Sequence, residues 1–144
     1  MKNYNKMQTY LSNLAVLNTK LHNIHWNVEG KEFMQVHKFT EGIYEDLFEK
    51  FDEIAELLKM KGEMPLVKMN DYAEEATIKE EESKSFETEE SLKTVLEDLK
   101  EMKKMATEIR NMADEDGDFQ VVGEMEEHVD YYSLKIWFVE SMLS

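Results

Sequence analysis

Three of the four histidines and one of the two tryptophans fall within "LHNIHWNVEGKEFMQVHKF", residues 21–39: His22, His25, Trp26 and His37. Imidazole binds divalent transition metals, and carboxylates are its usual companions in such sites. Acidic residues follow at regular intervals. His37, Glu41, Asp52 and Glu56 are spaced 4, 11 and 4 apart. On a helix turning 100° per residue their directions are roughly 0°, 40°, 60° and 100°, so all four share one face. His37 and Asp52 are nevertheless about 22 Å apart along the axis, too far to hold one ion within a chain. The set is symmetric about a midpoint between Asp46 and Leu47. Two copies packed antiparallel about a two-fold axis there would set His37 and Glu41 of one chain against Glu56 and Asp52 of the other, twice over. His25 joins them if a turn at Gly30 folds its helix back. Two imidazoles and two or three carboxylates suit Fe(II), and also Zn(II) or Mn(II).

The elements that must position these side chains are helices. One proline and five glycines interrupt 144 residues, and apolar positions recur at helical spacing. Tyr4, Met7, Leu11, Leu14, Leu17, Leu21, Ile24 and Val28 predict a helix over about 4–29. Val36, Phe39, Ile43, Leu47, Phe51, Ile54 and Leu58 predict a second over about 31–60, closed by Lys61-Gly62 and Pro65. A polar connection of about 61–88 follows, with a short helix at 68–76 capped by Asn70 or Asp71. A third helix, about 89–113, starts after Thr88 as N-cap and carries Leu92, Val95, Leu99, Met102, Met105, Ile109 and Met112 inward. "DEDGD" (114–118) breaks it. The fourth, about 118–143, carries Phe119, Val122, Met125, Val129, Tyr132, Ile136, Val139 and Leu143. Short links make two antiparallel hairpins and the long connection crosses between them. The expectation is an all-α, ferritin-like four-helix bundle with one long crossover, forming a single domain over 1–144.

Composition bounds the chemistry. The chain has no cysteine, which excludes a disulfide framework, a thiolate metal site and a cysteine nucleophile. The first six residues lack an apolar signal-like region, and no run approaches the roughly 18 apolar residues of a membrane span, so a soluble, cytoplasmic protein is expected. The formal charge of −15 repels phosphate backbones.

Residues 21–56, with His22, His25, Trp26, His37, Glu41, Asp52 and Glu56, resemble the signature of the Dps mini-ferritins, the starvation-induced DNA-protection proteins. That pattern runs H-x-x-H-W, a histidine twelve positions on, an acidic residue four later, and D-x-x-x-E further down the same helix. The resemblance implies a homo-oligomer, a hollow dodecamer with tetrahedral symmetry, that oxidises Fe(II) with hydrogen peroxide and stores ferric mineral. It implies a ferroxidase centre for two irons between two-fold-related subunits. His25 and His37 would bind from one chain, Asp52 and Glu56 from the other, and Glu41 directly or through water. Trp26 resembles the tryptophan thought to absorb an oxidising equivalent beside the centre. Asp114, Asp116, Asp118 and Glu124 are the candidates for an acidic entry pore. The lysine-rich tail of DNA-binding members is represented only by Lys2 and Lys6 ahead of the first helix, and DNA binding is not expected.

Other residues have simpler readings. His22 is read as structural or interfacial, His128 as a surface or satisfied side chain, Trp137 as a core or subunit anchor, and the eleven methionines as packing. Alternative functions are a non-catalytic helical cage with a structural metal and a DNA-condensing protein of the same fold. A classical ferritin centre inside one bundle needs Glu-x-x-His, which does not occur here.

Overall fold

Leu11, Leu14, Leu17, Leu21 and Ile24 recur every three or four residues, and each is at most 1% exposed. They belong to α1 (Asn5–Asn27), which buries Tyr10, Asn13, Val16, Lys20 and His25 as well and so faces neighbours on most sides. Burying one such aliphatic side chain contributes roughly 1.5–3 kcal/mol, enough to outweigh the polar residues between them. In this computed structural model, which describes residues 3–144, α1 is followed by β1 (Val28–Glu29), α2 (Phe33–Met60), α3 (Met69–Glu75), β2 (Phe86–Glu87), α4 (Thr88–Glu115) and α5 (Phe119–Leu143). Among the described residues no helix is long and apolar enough to cross a membrane.

The long helices form two antiparallel hairpins. Asn18 reaches the Tyr44 carbonyl while His25 meets His37, which sets α2 against α1. Arg110 pairs with Glu126, and Lys100 with Glu140, which sets α5 against α4. The hairpins join through the Lys20–Asp98 ion pair, 2.7 Å, with both side chains largely buried. The crossover between them is held by polar side chains of α1. Asn13 Oδ1 accepts from the amides of Thr77 (2.7 Å) and Ile78 (3.1 Å). Gln8 accepts from the Leu66 amide (3.0 Å) and donates to the Met64 carbonyl (2.8 Å). These bonds satisfy backbone groups that a non-helical segment on a bundle would otherwise leave unpaired.

Several boundaries differ from the sequence expectation, each for a local reason. Val28 and Glu29 leave the helix and pair in parallel with Phe86 and Glu87, because the β-branched Val28 and the apolar Phe86 are both buried there. Gly30 then takes φ +128°, a value at which a side chain is strained, and Thr88 lies beside it. α4 starts at Thr88 itself. Its N-terminus is capped by Glu87 and Glu90, whose carboxylate accepts from the Glu87 amide at 3.4 Å. Asn70 and Asp71 lie inside the first turn of α3 and cap nothing. Lys6 lies within α1, paired with Glu108, whereas Lys2 falls outside the described residues.

The largest difference concerns α5. Its buried residues are Val121, Met125, His128, Tyr132 and Val139. Phe119 is 85% exposed, and Val122, Val129, Ile136 and Leu143 are only partly covered. Met125, Tyr132 and Val139 are buried as the apolar spacing predicts, but the stripe is shifted at its other positions to Val121 and His128, so that a histidine lies on it. Gly117 (φ +72°) closes α4, its amide donating to the Asp114 carbonyl, and Asp118 starts α5 by accepting from the Val121 amide. Asp118 also pairs with Lys61 at 2.9 Å.

Two consequences can be measured. Burial works against the Asp118 charge, but Lys61 and the Val121 amide outweigh it and hold the carboxyl below the usual aspartate range. Its stabilisation is therefore present above the ordinary aspartate pKa and lost as the pH falls through the lowered value. Asp118→Ala should cost about 1–2 kcal/mol at neutral pH, and thermal unfolding across a pH series should show the gap to the native chain closing in acid. Gly30→Ala should cost about 1–3 kcal/mol, read from denaturant midpoints.

Candidate metal centre

His25 sits two residues before the end of α1 and His37 one turn after the start of α2, so the five-residue link brings them together. Their rings stack with centroids 3.7 Å apart and planes 13° from parallel. Each histidine bonds the other's backbone. His25 Nδ1 donates to the His37 carbonyl at 2.6 Å, and His37 Nδ1 donates to the His25 carbonyl at 2.8 Å. A carbonyl only accepts, so both Nδ1 atoms carry the proton, and in the neutral rings both Nε2 atoms keep a free lone pair. This is the second-shell arrangement found behind metal-binding histidines. Phe33 stacks on the far side of His37 at 5.0 Å, and Thr40 Oγ1 lies 3.4 Å from His25 Nδ1. Glu41 Oε1 is 3.8 Å from His25 Nε2, on the open side of the pair.

Asp52 and Glu56 are exposed on the same helix, one turn apart. A hydrogen bond from Asp52, together with its charge, pushes the Glu56 carboxyl above its ordinary range. Two adjacent carboxylates repel when both are charged, and a dication between them relieves that repulsion. Within one chain these carboxylates stay about four turns of α2 from His37. The chain thus carries two partial donor sets, His25/His37/Glu41 and Asp52/Glu56, and does not bring them together. Trp26 is 67% exposed beside His22, with ring centroids 5.5 Å apart. His22 stacks on Tyr44 at 3.7 Å and bonds the Asn18 carbonyl through Nδ1, a structural role.

The acidic residues considered for a pore between subunits have these partners within the single chain. Asp114 pairs with Arg110, Asp116 caps the end of α4, and Asp118 holds Lys61. Glu124 faces His128 instead, with Oε1 3.1 Å from Nε2, and Glu53 approaches the same nitrogen at 3.4 Å. His128 is satisfied, as expected, and only 1% exposed. Its Nδ1 contacts Tyr10 Oη at 2.7 Å, which in turn contacts Tyr132 Oη at 2.5 Å. Burial, with Lys50 adding to it, pushes the His128 pKa down to about 4, so the ring is neutral. A search for Glu-x-x-His misses this cluster, since Glu124 and His128 are four apart. The recoverable signal was the heptad-like run Val121, Met125, His128, Tyr132, in which a histidine occupies a core position.

Comparison with known proteins adds an independent line. A model of the ferritin-like domain matches residues 4–144. A Helicobacter pylori protein named DNA protection during starvation protein is 35% identical over 144 residues, 100% of both chains. The crystal structure of antigen TpF1 from Treponema pallidum superposes with a TM-score of 0.95 at 30% identity, covering 97% of this chain and 90% of that one. The DPS protein from Vibrio cholerae O1, described as a member of a broad superfamily of ferritin-like diiron-carboxylate proteins, superposes with a TM-score of 0.93 at 27% identity, covering 97% and 87%. A domain match over nearly the whole chain, a full-length relative and the one-crossover helix order agree, and the chain belongs to the Dps family of ferritin-like proteins.

Proposed function

We propose that this protein is a cytoplasmic ferroxidase and iron store, in which Fe(II) is the substrate, hydrogen peroxide the oxidant, and each centre is shared by two subunits. The observation that carries this reading is the reciprocal His25–His37 arrangement, which occupies both Nδ1 atoms and leaves both Nε2 atoms for a metal, with Glu41 3.8 Å from that of His25. Three donors, from the buried His25 to the exposed Glu41, leave a metal site incomplete, and a second copy turned about the middle of α2 would complete it with Asp52 and Glu56. Phe48 supports such a seam. It lies roughly 20° from His37 around the helix, close to the midpoint of the symmetric set, and is 64% exposed in the single chain. Exposed Trp26, Met60 and Trp137 add apolar surface of the kind that subunit contacts cover. The assembly proposed is the hollow dodecamer of the family.

In the reaction, two Fe(II) ions each lose one electron, and one hydrogen peroxide takes up two electrons and two protons to leave two waters. His25 and His37 hold iron through Nε2 while their Nδ1–H groups stay on the backbone carbonyls, which fixes ring orientation without a change of tautomer. Asp52 and Glu56 supply the carboxylates that neutralise the added charge. Pairing two electron donors in one site bypasses the one-electron route to hydroxyl radical. Trp26, exposed near the pair, is positioned to absorb a stray oxidising equivalent. Protection of DNA would then follow from removing iron and peroxide together, since a net charge of −15 opposes contact with phosphates.

The test is Fe(II) oxidation by substoichiometric hydrogen peroxide on the assembled fraction. Loss of outer-shell partners alone typically costs 10–100-fold, so His37→Ala or Asp52→Ala should lower the rate by about 100-fold or more while circular dichroism is unchanged. Mixing the two variants should restore part of the activity through hybrid seams. Iron bound without accelerated oxidation would leave a non-catalytic cage with a structural metal. Separately, the protein should leave duplex DNA unshifted on a gel at physiological salt; a salt-sensitive shift would restore the DNA-condensing alternative.

A further inference from the structure

We propose that Glu53, Glu124 and His128 form a second divalent-metal site, built inside one chain between α2 and α5 and distinct from the His25/His37 pair. The ligand class is a first-row dication such as Zn(II), Mn(II) or Fe(II), for which one imidazole and two carboxylates are a suitable donor set. One ligand atom from each residue lies within 4.8 Å of the others. His128 Nε2 is 3.1 Å from Glu124 Oε1 and 3.4 Å from Glu53 Oε2. An ion bound at about 2.0–2.2 Å spaces its ligands roughly 3.0–3.5 Å apart, so these side chains are already near the required separation.

The arrangement around the ligands is that of a prepared site. His128 is held at its core position by Tyr10, and Tyr10 by Tyr132, so its ring is fixed from behind. When Nδ1 donates to Tyr10 and the Tyr10 hydroxyl donates onward to Tyr132, the Nε2 lone pair points between the two carboxylates. Two carboxylates and a neutral imidazole carry a surplus of negative charge. Lys50 is the cation nearby, but its ammonium rests over the Tyr131 ring, 3.8 Å from the centroid. A bound dication would neutralise that surplus, and burial with the neighbouring Glu53 already pushes the Glu124 carboxyl up to about 7. A depression of about 200 Å³ lined by Glu53, Glu56, Leu57, Met60, Gln120 and Glu124 opens over the carboxylates. It supplies an entry path and room for water in the remaining coordination positions.

Ferritin-type centres inside a bundle draw carboxylates from all four helices. Here α2 and α5 supply the ligands, and α1 supplies the tyrosine behind the histidine. Adjacent residues on α2 therefore serve different sites, Asp52 outward and Glu53 toward α5.

The experiment is an anomalous-scattering map at the zinc edge from crystals of the whole protein equilibrated with one to a few equivalents of Zn(II) per chain, paired with a chelator-competition titration in solution. The expected result is a peak about 2.0–2.2 Å from His128 Nε2 and from one oxygen each of Glu53 and Glu124. The double variant Glu53→Gln/Glu124→Gln keeps side-chain volume, and it should lose this peak and bind one zinc fewer per chain. His37→Ala should leave the peak in place, which separates this site from the ferroxidase reading. No peak at His128 in the native protein, or an unchanged zinc count in the double variant, would overturn the proposal.

Discussion

α1 touches each of the other helices through a different polar device, and the bundle is organised around satisfying them. His25 meets α2, Asn13 and Gln8 hold the crossover, Lys20 pairs with Asp98 of α4, and Tyr10 bonds His128 of α5. A helix buried on most sides cannot leave such groups unpaired, because an unsatisfied polar group in a core costs about 1–3 kcal/mol. Each bond therefore also sets a register. The one at Asn13 decides where the crossover lies, and the ones at His25 and Tyr10 decide which residues of α2 and α5 face the metal-capable clusters.

α2 is the second organising element because it is used on two sides. Its inner stripe of Val36, Ile43, Leu47, Ile54 and Leu58 packs into the core. Asp52 and Glu56 lie on its exposed face, while Glu53, one position round, turns toward His128. Since 100° separates neighbouring residues, consecutive carboxylates address different surroundings. Acidic residues, which by composition alone speak only of solubility, are thus sorted by helix phase, Asp52 and Glu56 to the exposed face and Glu53 to the side of His128.

The relation to Dps relatives is consistent with this division of labour. The fold aligns over nearly its whole length with proteins about 30% identical, as expected when core pattern and crossover are retained while surfaces vary. The tight His25–His37 packing depends on two short-range features, the length of the link and the strain-tolerant Gly30, and on β1–β2 pairing that ties the crossover's end beside it.

Helix count, the crossover and the shared face of His37, Glu41, Asp52 and Glu56 were all legible in the sequence, because they depend on periodicity within single helices. The tertiary structure alone decided which way α5 is turned. Met125, Tyr132 and Val139 of the expected stripe are buried, but its other members Phe119, Val129 and Ile136 are not, and Val121 and His128 take their place in the core. A histidine is admitted to that core because Tyr10 and Glu53 from elsewhere in the chain, with Glu124 one turn away, satisfy it, and no local pattern announces partners 75 to 118 residues away. The same holds for Val28, which leaves its helix for Phe86, and for the Nδ1 protons of His25 and His37. Sequence determined which residues could share a helical face; long-range hydrogen bonds determined which face, and which nitrogen, is available for chemistry.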